Sequence, residues 1–228
     1  MIEVLLLLIF AGVTYSVAGE GAWGAAITCV STILAGLIAL NFFEPICNSL
    51  LGSNYYWQAR LDLIVLVGLF AAAVAGLRAG ADYFSPVYIG VHRMVHEVAR
   101  WGCGLLAGYV TMAFLLTALH TAPLGREFIG FKPERPNFFG LSPDRQWLGF
   151  MQWTTERVFC QSPARIFDGP VVALGDQKAE PKPVPNTVWP SFPIRYATRR
   201  ERGAGMAATA TQTPIRPVAP PKAGGPGF

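Results

Sequence analysis

Residues 87–119, VYIGVHRMVHEVARWGCGLLAGYVTMAFLLTAL, change character halfway along with no helix-breaking residue between the two halves. Read as one helix, the stretch sets Val87, Val91, Met94, Val95, Val98 and Gly102 on one side. His92, Arg93, His96, Glu97 and Arg100 share the other. The first half is therefore a surface helix, lying along a bilayer. From Trp101 on, charge disappears for 19 residues. At about 1.5 Å per residue that length is close to the roughly 30 Å of bilayer hydrocarbon, so the second half reads as a membrane span. Gly102, Gly104 and Gly108 lie on it, and Gly104 with Gly108 forms a GxxxG that admits another helix closely.

The rest of the chain has the composition to match. Of 228 residues, 52% are hydrophobic and only 14% charged, which is not the balance of an ordinary soluble domain. Four of the 18 Lys and Arg residues precede Pro123, while nearly all long apolar runs lie before it. The net charge of +4 thus belongs to a basic C-terminal region, suited to anionic lipid. No aromatic and basic module of a nucleic-acid-binding kind is present, so nucleic acid is not an expected partner. Cys29, Cys47, Cys103 and Cys160 show no CxxC, metal or haem spacing, and Cys29 and Cys103 read as small apolar residues inside spans.

Residues 2–17 form the first span. Ser16 and Ala18 would suit signal peptidase, but Glu3 stands where a basic n-region belongs, which favours a retained helix over a cleaved one. Gly19-Glu20-Gly21 is a tight turn, so the second span, residues 22–43, returns antiparallel. It is studded with Gly24, Ala25, Ser31, Ala35, Gly36 and Ala39, a spacing that favours close helix contact. A connection follows from Glu44 and Pro45 to Asn54, with Tyr55, Tyr56 and Trp57 as an aromatic belt. The third span covers residues 61–77. Arg60 and Asp62 at its start and Arg78 at its exit are expected to snorkel to the headgroups, and Gly76 and Gly80 continue the small-residue pattern as helix-packing positions. The fourth span is residues 101–119.

After Leu119 the prolines and glycines of residues 123–140 end membrane crossing. Ser142-Pro143-Asp144 then starts a helix, with Ser142 as N-cap and Asp144 complementing the dipole. Over residues 143–159 this helix gathers Trp147, Leu148, Phe150, Met151, Val158 and Phe159 on one face, opposite Arg145, Gln152 and Glu156. It is too polar to cross and too apolar for water. Trp147 and Met151 are accordingly expected at the membrane interface or on a partner, as are His92, Arg93, His96 and Arg100. Residues 162–228 combine proline, glycine, alanine and scattered arginine without apolar periodicity, and are expected to be disordered. The fold class is thus all-α: four transmembrane helices, an interfacial amphipathic helix and a proline-rich tail.

Four spans leave both ends of the chain on one side. Arg126, Lys132 and Arg135 after the last span favour a cytoplasmic tail, against the pull of Arg78, Arg93 and Arg100 in the loop before it.

The sequence offers little chemistry. His92 and His96 are four apart beside Glu97, but the order HRMVHE is not HExxH and two imidazoles do not make a metal site. His120 reads as a residue of the interface. With no GxSxG, P-loop or dinucleotide fingerprint, neither an enzyme nor a cofactor is expected.

The turn Gly19-Glu20-Gly21-Ala22-Trp23-Gly24, together with Arg93 ahead of Gly102, Gly104 and Gly108, resembles the CvpA family of colicin V production proteins over about residues 1–123. Glu20 stands where family members carry basic residues, and His92 where they carry an acidic one. The resemblance implies a bacterial inner-membrane protein with about four spans, linked to colicin or toxin production and envelope maintenance, with no catalytic residues. A subunit of an oligomeric channel or carrier, assembled through the small-residue faces, is the alternative, so a second copy or another membrane protein is the expected partner besides the bilayer.

Overall fold

The computed structural model describes residues 2–50, 55–84, 92–122, 131, 138–159, 167, 192, 193 and 196, and only the backbone of 55–59. Four long helices, α1 (Ile2–Gly19), α2 (Gly21–Leu50), α3 (Tyr55–Phe84) and α4 (Arg93–Leu119), are each long and apolar enough to cross a membrane. A short helix α5 (Pro143–Trp153) runs into a π-helical turn, Thr154–Val158. The chain is a helical multi-pass membrane protein.

The distribution of bulk on α2 shows why lipid is the surrounding solvent. Its buried face is built from Ala25, Cys29, Thr32, Ala35, Gly36 and Ala39, whereas Val30, Leu34, Ile38 and Phe42 project outward at every fourth position. Hydrocarbon gives no reward for hiding large apolar groups, so small residues go where backbones must approach and large ones face the acyl chains. Two hydroxyls on the inner faces are satisfied within their own helix: Thr32 donates to the Thr28 carbonyl at 2.7 Å and Thr117 to that of Ala113 at 2.9 Å.

The helices run alternately up and down. Gly104 and Gly108 of α4 face Ala18, Thr14 and Phe10 of antiparallel α1. Gly21 lies beside His96, and the thiols of Cys29 and Cys103 are within hydrogen-bonding reach, so α2 and α4 run parallel. The two outer helices differ in partner, since α1 packs on α4 whereas α3 packs mainly on α2. Phe70 of α3 also stacks on Phe114 of α4, with ring centroids 4.1 Å apart. Oxidation of the full-length protein with copper phenanthroline is expected to join Cys29 to Cys103, read as the loss of two hydrogen atoms in the intact mass with Cys47 and Cys160 still alkylatable. Four alkylatable thiols after oxidation, those of Cys29 and Cys103 among them, would mean that α2 and α4 are not neighbours at this level.

Several boundaries differ from those the sequence suggests. α2 does not stop before Glu44 but passes through Pro45 to Leu50. Ala39, Leu40, Phe43 and Cys47 form one buried ridge, and its packing offsets the roughly 3 kcal/mol that an interior proline costs. α3 is longer at both ends and carries Asp82 within its last turn. α4 begins at Arg93, and residues 87–91 of the expected surface helix lie outside the described residues. His92 is its N-cap, the ring Nδ1 accepting from the Met94 N–H at 3.4 Å, and therefore does not share a helical face with His96. Met94, Val95 and Val98 point away from the bundle.

The expected single helix over residues 143–159 instead changes to a π turn after Trp153. The Thr154 hydroxyl donates to the Phe150 carbonyl at 2.8 Å, and that of Thr155 to the Met151 carbonyl at 2.9 Å. These side chains compete for the carbonyls of the preceding turn, and the wider turn buries both threonines. α5 docks on its own bundle. Trp147, Leu148 and Met151 are buried with Leu40, Phe43 and Phe114, rather than lying at an interface.

Most of the region expected to be disordered lies outside the described residues. Three aromatic residues within it are described and belong to the core: Phe167, Phe192 and Tyr196. The Phe192 N–H donates to the Phe167 carbonyl at 3.0 Å, and the Phe192 and Tyr196 rings lie 4.7 Å apart, both beside Phe43.

Candidate functional site

Two polar centres sit at opposite ends of the bundle. At the end where α1 turns into α2, Glu20 Oε2 accepts from the Thr28 hydroxyl at 2.7 Å and lies 3.3 Å from Arg78 Nη2. Arg78 Nη1 also meets Asp82 Oδ1 at 2.8 Å. Arg78 thus does not simply snorkel to headgroups; it fastens α3 to the α1–α2 turn. The close approach needs Gly24, where a Cβ would fall 2.8 Å from that of Glu20, and Gly21, whose φ of +84° suits glycine. Because these side chains are a quarter to a third exposed, Arg78→Ala should cost only about 1 kcal/mol. Reversible unfolding in bicelles measures this; a loss above about 3 kcal/mol would mean that the pair is desolvated.

The second centre is deeper. His120 closes α4, and Asp144 occupies the first turn of α5. Their side chains, 0% and 2% exposed, meet at 2.8 Å between Nε2 and Oδ2. The path to this contact is strained: Phe138, Phe139 and Ser142 all hold positive φ, at 53°, 53° and 47°. Left-handed backbone at a bulky residue is costly, and here it delivers Pro143 and Asp144 into the bundle. The Phe131 ring meets the imidazole edge-on at 5.0 Å. Close by, Tyr109 donates to Gln146 Oε1 at 2.6 Å, and Gln146 Nε2 donates to the Leu141 carbonyl at 2.9 Å. Trp147 packs on Gly36, where a Cβ would lie 3.0 Å from its Cη2.

The pair joins the last span to the helix that follows it and can hold a proton between imidazole and carboxylate. Thr117 and Thr121, the hydroxyls nearest His120 in sequence, donate to the carbonyls of Ala113 and Ala118. Among the described residues no three His, Cys, Asp or Glu side chains gather as metal ligands.

Sequence reasoning did not foresee this pair. The sequence suggests His120 at the interface and Asp144 at a helix start, complementing the dipole; both are enclosed. A signal was present: Asp144 precedes Trp147, Leu148 and Met151 by three, four and seven residues, and so stands on the apolar face of α5. Asp62 repeats the lesson. Expected at the headgroups beside Arg60, it is 3% exposed, because it shares the face of Leu66 and Phe70 that meets the bundle.

The other expected site residues divide. Gly104 and Gly108 seat α1, whereas Gly76, Gly80 and Gly102 face open space and make no helix contact among the described residues. Gly76 is exposed on α3. Arg93 is exposed; Arg100 pairs with Glu97 at 3.2 Å and lies 5.4 Å over the Trp101 ring. His96 is half-buried beside Gly21. Trp147 and Met151, expected to be interfacial, are 5% and 0% exposed.

Comparison with protein-family models, with characterised proteins and with solved structures finds no match for this chain.

Proposed function

We propose that the protein is a CvpA-like accessory component of a bacterial inner membrane, acting through helix packing and partner contacts rather than catalysis, in toxin production or envelope maintenance. The observation that supports this reading is that the separate pieces of the resemblance meet in one unit. The Glu20 turn joins α1 to α2 at the end where α4 begins at Arg93, and Gly104 and Gly108 hold α1 along α4. The C-terminal region is oriented to the cytoplasm in this reading, and the partner is a second copy or another membrane protein.

In-cell photo-crosslinking of the full-length protein through the C-terminal region, followed by identification of the captured chains, tests it. Capture of an envelope or export component, with loss of toxin release on deletion of the gene, is the expected outcome. Undisturbed release and envelope integrity after deletion would end the reading.

A channel or carrier subunit is the second reading, favoured by one feature: Gly68, Ala72 and Gly76 form an exposed stripe of small residues on α3, with nothing packed against the two glycines. Ion flux in proteoliposomes that is lost with Gly76→Leu would support it; absence of flux through the unaltered protein would remove it.

A further inference from the structure

Docking of Trp147, Leu148 and Met151 on the bundle accounts for one face of α5 and leaves two flanks of different character. At about 3.6 residues per turn, Asp144, Trp147, Leu148 and Met151 share the buried face. Arg145, Gln152 and Glu156 lie on one side of it, and Gln146, Phe150 and Trp153 on the other. The two flanks also sit at different levels. Gln152 donates to Glu156 and accepts the Phe167 N–H at 2.6 Å, and Phe167 belongs with Phe192 to the cluster around Phe43, at the end of the second span. Phe150 and Gln146 instead line a groove with Ile33 of α2 and Leu106 and Val110 of α4. Val110 is ten residues short of His120, and Ile33 ten short of Phe43. At about 1.5 Å per residue both lie roughly 15 Å inside the ends of their spans, near the middle of about 30 Å of hydrocarbon. The polar flank is thus turned to the surface and the aromatic flank to the bilayer interior.

Two further observations identify the medium that meets the aromatic flank. Phe150 and Trp153 are 38% and 56% exposed, with ring centroids 6.3 Å apart, and Phe150 shares the groove with Leu106, which is 48% exposed on the outer side of α4. The uncovered aromatic surface therefore continues one that already faces acyl chains. Gln146 is exposed as well, yet both ends of its amide are engaged, accepting from the Tyr109 hydroxyl at 2.6 Å and donating to the Leu141 carbonyl at 2.9 Å. An amide in water needs no such partners, whereas one in hydrocarbon does.

We infer that α5 lies flat in the bilayer interface, docked sideways on the bundle, with Phe150 and Trp153 immersed among acyl chains and Arg145, Gln152 and Glu156 turned to headgroups and water. The partner of this surface is the lipid itself. Tryptophan at that level follows the general preference of aromatic rings for the membrane interface, and α5 becomes an interfacial amphipathic helix carried by a multi-pass bundle. The inference is independent of the CvpA-like reading and requires only that the bundle be in a bilayer.

The test uses tryptophan emission of the full-length protein in phosphatidylcholine nanodiscs, where both membrane faces meet the solution. The contribution of Trp153 is the difference between the unaltered protein and Trp153→Phe, a change at a position 56% exposed. Lipid brominated near the glycerol end of its acyl chains should remove most of this difference emission, and acrylamide in the water little of it. Glu156→Trp in the Trp153→Phe chain moves the reporter to the polar flank, where acrylamide should quench more than brominated lipid does. Phe150→Trp in the same chain should restore the lipid-facing pattern. Oxidative joining of Cys29 to Cys103 verifies that each variant is folded. Quenching of Trp153 by acrylamide rather than by brominated lipid would overturn the assignment, as would the same quenching pattern at Trp153 and in Glu156→Trp. Shielding of Trp153 from both agents would overturn it too, because a second copy or another protein would then cover this flank.

Discussion

His120→Leu is expected to destabilise the protein by about 3 kcal/mol, and Asp144→Leu by only about 1 kcal/mol, although both remove the same contact. The asymmetry follows from what each change leaves behind. Without His120, the Asp144 carboxylate stays enclosed on the apolar face of α5, and a buried charge deprived of its partner costs about 3–5 kcal/mol. Without Asp144, the remaining imidazole is neutral at little cost and forfeits one hydrogen bond. The double variant His120→Leu/Asp144→Leu should be more stable than His120→Leu alone, because no polar atom of the pair remains to be desolvated. Hydrogen bonds between helices in membranes average only about 0.6 kcal/mol, so a flat result of that size for both single variants is the competing outcome. It would mean that the pair carries no charge when folded. Steric trapping in bicelles resolves differences of this size, and the order of the two single variants decides the matter.

How much of this was legible in the sequence depends on what medium each residue meets. The spans were legible because exclusion of charge over a bilayer thickness is a property of the chain itself, and α1 to α4 fall where the apolar runs do. Their ends were not. Pro45 is a breaker only if nothing beyond it is worth burying, and Cys47 is buried beyond it; that is a tertiary fact. The same holds for α5, whose amphipathic pattern announced an apolar face without saying whether lipid, a partner or its own spans would cover it. Trp147 meets Gly36 over a hundred residues away, a contact that no local periodicity encodes. Asp62, Asp144 and His120 were misplaced for one reason: a titratable residue near the end of a span looks interfacial by position, and only its helical face reveals that it turns inward. The same test of face explains the glycines. Gly36, Gly104 and Gly108 point at neighbours, whereas Gly76, Gly80 and Gly102 recur at equally favourable intervals and point at none.

Gly108→Leu should therefore be the most disruptive change on the glycine pattern, costing about 3 kcal/mol or more, while Gly102→Leu six residues earlier should be neutral or mildly stabilising. At Gly108 a Cβ would come within 2.9 Å of the Phe10 carbonyl oxygen and against the Thr14 hydroxyl, and at Gly104 within 2.9 Å of the Thr14 carbonyl. These obstacles are mostly backbone, so no rotamer change relieves them, and α1 would have to move away from α4 along its length. Overpacking of a close-packed contact costs about 1–3 kcal/mol where side chains can yield, and here the rigid element is a whole helix. At Gly102 nothing lies within 4 Å, and replacing an exposed helical glycine by leucine gains up to about 1 kcal/mol of helix propensity. Gly108→Ala separates clash from propensity: the methyl group alone meets both oxygens, so a loss of stability would locate the cost in the α1 contact. If Gly108→Ala and Gly102→Ala stabilised the protein equally, α1 would not lie against this face of α4, and the packing of the first span would have to be redrawn.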